Sequence, residues 1–297
     1  MGTYDHGRGK RGPYFEGWYL KLQTGEGAAL ALIPACHMDR EGRRSASLQV
    51  LSDDRSWWLA YPGTAFRASR GEFRVRLGES LFTGQGMRLH VEGEGLSLHG
   101  TVRYGPFTPL KSDIMGPFRF LPGMECAHGV LSMGHSLEGS VTLNGKTLDF
   151  SGGTGYMETD RGRSFPRAYL WTQCVWQEAS LDSLMLSVAT IPMAGVRFTG
   201  CICAVVDRGR EYRLATYRGA RVERWDAGGA VIRQGRYRLS VELLEGCGHP
   251  LRAPAEGAME RTIHERLRTE LRCLLWMGDT LLLDHRDPWA SFEYAET

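Results

Sequence analysis

The run "GSVTLNGKTLDF", residues 139–150, is the clearest fold signal in the sequence. Asn144 and Gly145 separate two short segments in which apolar and polar residues alternate. An Asn-Gly pair readily supplies the two positive φ values that a type I′ turn requires. We therefore predict a β-hairpin closed by these two residues, and an antiparallel sheet around it.

Similar strand-like runs recur on both sides of this hairpin, whereas helical signals are scarce. The chain contains 38 glycines among 297 residues, well above the usual share of about 7%, and they follow no strict period. A hydrophobic content of 42% is enough to bury a core. Short strands separated by turns along the whole chain predict an all-β sandwich or barrel. The runs include "GWYLKLQ", "AALALIP", "ASLQVLS", "EFRVRL", "MRLHVEG", "LSLHGTVRY", "YLWTQCVW", "SLMLSVATIP", "TGCICAVVD", "EYRLATY" and "YRLSVELLE".

One segment, "AMERTIHERLRTELRCLLW" (residues 258–276), fits two structures. Its apolar residues Met259, Ile263, Leu267 and Leu271 recur every four positions, and this periodicity by itself favours a helix. A period of two places Met259 and Ile263 on one face together with charged residues. The residues alone leave the choice open.

The two halves of the chain also resemble each other, as in a duplicated domain. "DDRSWWLAYPG" (53–63) is echoed by "VDRGREYRLATYRG" (206–219). We predict two β domains, residues 1–150 and 151–297. A second match, spaced by 150 residues, relates Phe15, Tyr19, Leu20 and Gln23 to Phe165, Tyr169, Leu170 and Gln173.

Composition excludes several classes of function. The net charge is +2 and the two signs are interspersed, which argues against nucleic-acid binding. No apolar run reaches the roughly 18 residues of a membrane span. The basic stretch "GRGKRG" (7–12) allows peripheral contact with anionic lipid, although a solvated tail is the preferred interpretation. No Gly-x-Ser-x-Gly elbow and no phosphate-binding glycine loop is present.

The cysteines indicate the compartment. Seven cysteines without a CxxC pair favour free thiols in a reducing environment, and hence a cytoplasmic protein. Cys201 and Cys203 alternate by two and are expected to pack on one face of a strand. The sequence does not predict an oligomeric state.

The segment "GGTGYMETDRGRSFPRAYLWTQC", residues 152–174, combines charges with large aromatic side chains. Its glycines 152, 153 and 155 permit close approach of another backbone. The segment also lies where the first predicted domain ends and the second begins, and binding pockets are common at such junctions. We therefore expect it to contribute acids and aromatic side chains to a site.

Two blocks of sequence resemble the tocopherol cyclase family. They are "GPYFEGWYLKL" (12–22) and "GYMETDRGRSFPRAYLWTQC" (155–174), with a weaker match at "LRAPAEGAMERTIHERLRTELRCLLW" (251–276). The sequence departs from the plant enzymes of this family at Thr159, Asp160 and Arg161, where the plant enzymes have Lys-Asn-Trp. This chain also looks shorter than the plant enzymes. The matching residues are Pro13, Tyr14, Phe15, Glu16, Gly17, Trp18 and Tyr19, then Tyr156, Glu158, Gly162, Phe165, Pro166, Arg167, Trp171, Gln173 and Cys174.

The family is similar to a wider group of two-domain lipocalin-like proteins that includes carotenoid hydratases. The resemblance implies two tandem lipocalin-like (calycin) β-barrels with an internal cavity, and it makes "AMERTIHERL" a strand. It also implies protonation of an alkene in a hydrophobic, prenylated substrate, followed by capture of the cation by a phenol oxygen or by water. That chemistry needs neither a cofactor nor a metal.

Glu158 and Asp160 are the candidate proton donors. In a strand they share a face at a spacing of roughly 7 Å, and two carboxyl groups so close favour retention of a proton. Aromatic faces attract a cation by about 0.5–2 kcal/mol each, and arginines can orient the acids or bind quinol oxygens. The candidate substrate-binding residues are Glu16, Trp18, Tyr19, Tyr156, Arg161, Arg163, Phe165, Trp171, Gln173 and His128.

Structural roles remain open for most of these residues. Glu158 is as well suited to an ion pair with an arginine as to catalysis. Trp18 and Trp171 are suited to packing in an apolar core. His128 and His135 are seven residues apart, so on a straight strand they face opposite sides, which argues against shared metal ligation. The alternative function is a lipocalin-like carrier of a hydrophobic small molecule, and a partner-binding β module is a third.

Overall fold

The computed structural model describes residues 7–93, 95–121, 124–178, 180–193, 196–245 and 248–296. Their regular structure is almost entirely β, which confirms the predicted fold class. Among these residues, no helix is both long and apolar enough to cross a membrane. The helical elements described are the short 3₁₀ segments Gly63–Ala65, Gly116–Phe120 and Thr216–Arg218.

The first sheet contains twelve strands in the order β4-β3-β2-β1-β12-β10-β9-β8-β7-β6-β5, with β11 paired to β10. Its strands are β1 (Tyr14–Gln23), β2 (Ala29–Met38), β3 (Arg44–Ser52), β4 (Ser56–Pro62), β5 (Phe66–Ala68), β6 (Arg74–Leu77), β7 (Ser80–Thr83), β8 (Gly86–Gly93), β9 (Leu96–Tyr104), β10 (Cys126–Leu143), β11 (Lys146–Asp149) and β12 (Thr154–Gly162).

The second sheet contains ten strands in the order β16-β15-β14-β13-β22-β21-β19-β18-β17, with β20 paired to β21. Its strands are β13 (Tyr169–Gln177), β14 (Leu181–Met193), β15 (Val196–Asp207), β16 (Arg210–Ala215), β17 (Arg221–Asp226), β18 (Gly229–Gln234), β19 (Tyr237–Glu245), β20 (His249–Ala255), β21 (Ala258–Met277) and β22 (Thr280–Ala295).

The two sheets share a strand order around their first strands. β1 lies between β2 and β12, and β13 lies in the same way between β14 and β22. The repeated residues of the sequence fall on β1 and around the start of β13. The second echo falls on the β3–β4 and β15–β16 hairpins, each followed by a 3₁₀ turn. The fold thus agrees with the internal duplication.

Neither sheet closes into a complete barrel among the described residues, which corrects the prediction of closed barrels. The end strands β4 and β5 follow one another in the chain through the 3₁₀ turn at Gly63–Ala65, but they do not pair with each other. In the second sheet, the end strands β16 and β17 are likewise joined through a 3₁₀ turn, at Thr216–Arg218, and do not pair with each other.

The hairpin and the ambiguous segment both have the predicted conformations. Asn144 and Gly145 have φ values of 48° and 83° and join β10 to β11, with Leu143 opposite Lys146. Residues 258–277 form strand β21, in which every second residue from Ile263 to Leu275 is buried. A four-residue spacing is also an even spacing, so a strand places these apolar residues on one face.

The described residues group into two compact units that are discontinuous in sequence. The first comprises the residues up to Thr108 together with Gly134–Phe165 and Arg252–Arg261. The second comprises Pro109–Met133, Pro166–Leu251 and the residues from Thr262 onward. The predicted division at residue 150 remains a prediction about domain boundaries.

Each unit packs an apolar core on one face of its sheet. In the first unit Trp18 stacks on Phe66 at 6.1 Å between ring centroids and also contacts Phe73. In the second unit leucines, valines and cysteines of β13–β15 pack against β18, β19, β21 and β22. Nine of the ten residues of β1 and eight of the nine of β13 are buried, so these strands are covered on both faces.

Candidate functional site

The pairing of β1 with β12 positions the main site residues of the first unit. Tyr19 is the direct partner of Glu158, and Gly17 is the partner of Asp160. Side chains of directly paired residues project to the same face of a sheet. Tyr19, Tyr156, Glu158 and Asp160 therefore share one face, as predicted for the two acids.

Close backbone contacts fix this part of β12. The Thr159 hydroxyl donates a hydrogen bond to the Gly17 carbonyl oxygen at 2.9 Å and so links β12 to β1. A side chain at Gly155 would place its Cβ 2.5 Å from His135 Nε2, and one at Gly153 would lie 2.1 Å from the Gln23 carbonyl oxygen. Gly153 thus permits the close backbone approach expected from the sequence and Gly155 the approach of a side chain, whereas a Cβ at Gly152 would meet nothing within 4 Å.

Tyr156 and Glu158 form a buried hydrogen-bonded pair. Tyr156 is 1% exposed and Glu158 is 4% exposed, and the phenol O–H donates to Glu158 Oε2 at 2.5 Å. Burial, above all, raises the pKa of Tyr156 well above its ordinary value, and the charge and hydrogen-bond acceptance of Glu158 raise it further. Asp160 and Tyr19 add to the effect. The phenol therefore keeps its proton and acts as a hydrogen-bond donor to the carboxyl group.

Lys21 is a neighbour that sequence reasoning missed. It is the strand partner of Tyr156 and is buried, so its aliphatic stem belongs to the same covered face. A lysine in "YLKLQ" gives no sequence signal of burial, because lysines on strands usually point to water.

The other face of the same strands carries a different group of predicted residues. Glu16 and Arg161 are direct partners, and Trp18 follows Glu16 on the same side of β1. Glu16 is buried, whereas Arg161 is partly exposed. Trp18 belongs to the apolar core. Strand alternation therefore separates Glu16, Trp18 and Arg161 from Glu158.

Arg163 and Phe165 lie just after β12, in a segment that pairs with residues 254–257. The Arg163 carbonyl accepts a hydrogen bond from the Gly257 N–H, and the Phe165 N–H donates to the Pro254 carbonyl. The Phe165 ring packs edge-on against Phe15 at 5.4 Å. The Arg163 side chain is exposed.

Trp171, Gln173 and His128 belong to the second unit. Trp171 and Gln173 are buried on one face of β13, and Gln173 Nε2 donates to Ser291 Oγ at 3.2 Å. Within that unit the Tyr169 hydroxyl donates to Glu293 at 2.8 Å, a second buried tyrosine–glutamate pair. His128 lies at the start of β10 and is partly buried.

Further buried polar residues of the first unit had no sequence signal. His37 and Ser47 are hydrogen-bonded across β2 and β3 at 2.8 Å. Gln49 exchanges two hydrogen bonds with the backbone of Arg252, at 2.9 and 2.7 Å. These residues come from unremarkable stretches such as "ACHMDREGRRSASLQV", and only strand pairing brings them together.

Comparisons with solved structures place the fold in a known class. The structure is similar to that of CghA, crystallised with Sch210972, with a TM-score of 0.61 and 11% sequence identity. The alignment covers 96% of this chain and 88% of CghA. It matches kievitone hydratase from Nectria haematococca at a TM-score of 0.55, with 11% identity and coverage of 95% and 89%. A Nitrosomonas europaea protein provisionally assigned as AttH gives 0.55, with 13% identity and coverage of 95% and 92%.

The chain therefore has the fold of two-sheet, lipocalin-like proteins. No protein-family model matches the sequence, and no curated protein matches it either. At these levels of identity, the similarity establishes the fold alone.

Proposed function

We propose that the protein is a cofactor-independent catalyst that protonates an alkene of a hydrophobic, uncharged substrate, with Glu158 as the proton donor. The observation that carries the proposal is the buried Tyr156–Glu158 pair. The proposal is supported by the motifs that resemble the tocopherol cyclase family. It is also supported by the presence of a hydratase among the similar structures.

The reaction has two steps, and the proton that Glu158 gives up in the first step is returned to it in the second. Glu158 transfers its proton to the less substituted alkene carbon, where the π electron pair forms the new C–H bond, and a tertiary cation results. A phenol oxygen of the same molecule, or water, then forms a C–O bond to the cation and releases its proton to the Glu158 carboxylate. A prenylated quinol or another isoprenoid meets these requirements.

Tyr156 assists by stabilising the conjugate base. Its hydrogen bond to Glu158 becomes charge-assisted as the proton leaves, and hydrogen bonds to ionised groups are roughly twice as strong as neutral ones. Only an interaction that strengthens in the transition state accelerates the chemical step. A difference of about 1–2 kcal/mol corresponds to a rate effect of about 5- to 30-fold. The faces of Tyr19 and Tyr156 are suited to stabilise the cation.

The test is turnover of a panel of prenylated hydroquinones in D₂O, followed by mass spectrometry. Protonation from solvent-exchanged Glu158 should place one non-exchangeable deuterium on carbon in the product. We expect Glu158→Gln to lower kcat by about 10²- to 10⁴-fold, the usual contribution of a general acid. Tyr156→Phe should lower it about tenfold.

Glu138→Gln is the matched control, because Glu138 is an exposed glutamate of β10. It should leave turnover unchanged. Wild-type turnover in the Glu158→Gln variant would remove this residue from the mechanism. Binding of the panel by the wild-type protein without any conversion would contradict catalysis and favour the carrier function.

A further inference from the structure

The buried pair His37–Ser47 is not used by the proposed reaction. His37 on β2 and Ser47 on β3 are 5% and 0% exposed, and the pair is joined through His37 Nε2. Both belong to the first unit. The register relates them to the acids, because Ser47 pairs with Ala35, Ala35 with Gly17, and Gly17 with Asp160. They therefore face the same side of the sheet as Glu158.

The row between the two groups has little side-chain volume. Ala35 and Gly17 are its central members, whereas the adjoining rows carry larger side chains, Phe15 on one side and Ile33 with Tyr19 on the other. Three interstrand spacings separate β3 from β12, so Ser47 lies about 14 Å from Asp160 along this row. A row of small residues between bulkier ones forms a shallow apolar floor.

His37 has an unsatisfied ring nitrogen. Within the described part of the chain, Nδ1 is buried and has no hydrogen-bond partner. Burial lowers the pKa of His37 to about 4, so the ring is neutral at physiological pH. A neutral imidazole has one N–H donor and one acceptor nitrogen. Whichever tautomer binds Ser47, Nδ1 is left with an unused donor or an unused lone pair.

A buried polar atom without a partner costs about 1–3 kcal/mol, and such atoms are rare in folded proteins. A ligand group that fills the position recovers that free energy. A hydroxyl group suits both tautomers, because it donates and accepts hydrogen bonds. The Trp58 ring, 6.3 Å from the His37 ring, adds an aromatic wall next to the position.

We propose that His37 and Ser47 form a polar subsite that binds an uncharged hydroxyl group of a hydrophobic ligand, with Nδ1 of His37 as its hydrogen-bond partner. The subsite rests on the proposed function in that its ligand lies on the same face as Glu158. The apolar body of the ligand lies over Ala35 and Gly17. His37 pairs with Phe15 and Phe15 pairs with Gly162, so His37 lies two interstrand spacings across the sheet and four residues along it from Glu158, roughly 16 Å in all. The subsite thus selects ligands with a hydroxyl group roughly 16 Å from the reacting alkene.

The test compares 4-nonylphenol with nonylbenzene, which differ only in the hydroxyl group and contain no alkene to be converted. Dissociation constants are measured by calorimetry for the wild type and for His37→Phe, which keeps an aromatic ring and removes both nitrogens. We expect the wild type to bind the phenol about tenfold more tightly than nonylbenzene. In His37→Phe the two dissociation constants should become equal.

A second measurement uses the wild-type protein alone, so it does not depend on the folding of the variant. The ¹⁵N chemical shift of His37 Nδ1 should change on addition of 4-nonylphenol and should not change with nonylbenzene. Glu158→Gln should retain the preference for the phenol, so a failure of the proposed reaction is distinguishable from a failure of the subsite. Equal binding of both probes by the wild type, binding of neither, or a preference that survives in His37→Phe would overturn the proposal.

Discussion

Acidification from pH 8 to pH 5 should strongly destabilise the protein, because two histidines of the first unit are buried in the neutral form. Burial lowers the pKa of His37 from 6.5 to about 4 and that of His135 from 6.5 to about 3. His135 packs against the rings of Tyr104 and Phe107, at 4.7 and 4.8 Å between centroids. Protonation of either ring therefore favours the unfolded chain.

The sign and size follow from proton linkage. Between pH 6.5 and the folded-state pKa values, the unfolded state binds more protons, so the free energy of unfolding falls as the pH falls. Each histidine contributes about 1.4 kcal/mol per pH unit in this interval. From pH 6.5 to pH 5 the loss is about 2 kcal/mol for each residue, or about 4 kcal/mol together. This is a large part of the usual 5–15 kcal/mol of total stability.

The assay is urea unfolding followed by tryptophan fluorescence at pH 8 and pH 5. The wild type should lose about 4 kcal/mol between these values and His37→Phe about 2 kcal/mol. The exposed residue His264 provides the control, and His264→Gln should behave as the wild type. An identical pH dependence in His37→Phe and the wild type would refute the reasoning for His37.

Two further predictions concern the space around two glycines and a buried ion pair. Gly145 and Gly257 both have φ near 80°, but a Cβ at Gly145 would meet nothing within 4 Å, whereas one at Gly257 would lie 1.9 Å from a backbone oxygen. We expect Gly145→Ala to cost about 1 kcal/mol and Gly257→Ala about 3 kcal/mol by urea unfolding; equal costs would contradict the packing at Gly257. Arg213 pairs with Glu211 at 2.7 Å with both side chains buried, and it also donates to two backbone carbonyls of residues 112–113. Arg213→Met should cost about 3–5 kcal/mol in the same assay, because the buried Glu211 carboxylate loses its charged partner and keeps only the hydrogen bond from the Lys111 N–H. The exposed Arg210→Met should change stability by less than about 0.5 kcal/mol, and similar losses in both variants would argue against a buried pair.

The sequence by itself determined the local structure. The Asn144–Gly145 turn, the strand character of β1 and the shared face of Glu158 and Asp160 all follow from interactions within a few residues. The repeat was also visible, because the first strands of the two sheets keep matching residues such as Tyr19 and Tyr169. Local signals are reliable here because the side-chain period of a strand and the φ preferences of Asn and Gly do not depend on distant contacts.

The long β21 strand shows where local signals become ambiguous. Its buried face includes Glu265 and Thr269 between apolar residues. Buried polar residues interrupt the alternation that identifies a strand, so the remaining apolar residues show a four-residue period. The sequence could not distinguish that pattern from a helix, and the pairing of β21 with β19 and β22 settles it.

Only the tertiary structure decided which residues meet. The register between β1 and β12, about 140 residues apart in sequence, places Tyr19 beside Glu158 and puts Trp18 on the opposite face in the core. A shift of one residue would exchange these faces, and nothing local in either strand fixes it. The same holds for His37 and Ser47, whose contact depends on the β2–β3 register. Hydrogen-bond ladders and burial, which act across the whole sheet, determined these contacts.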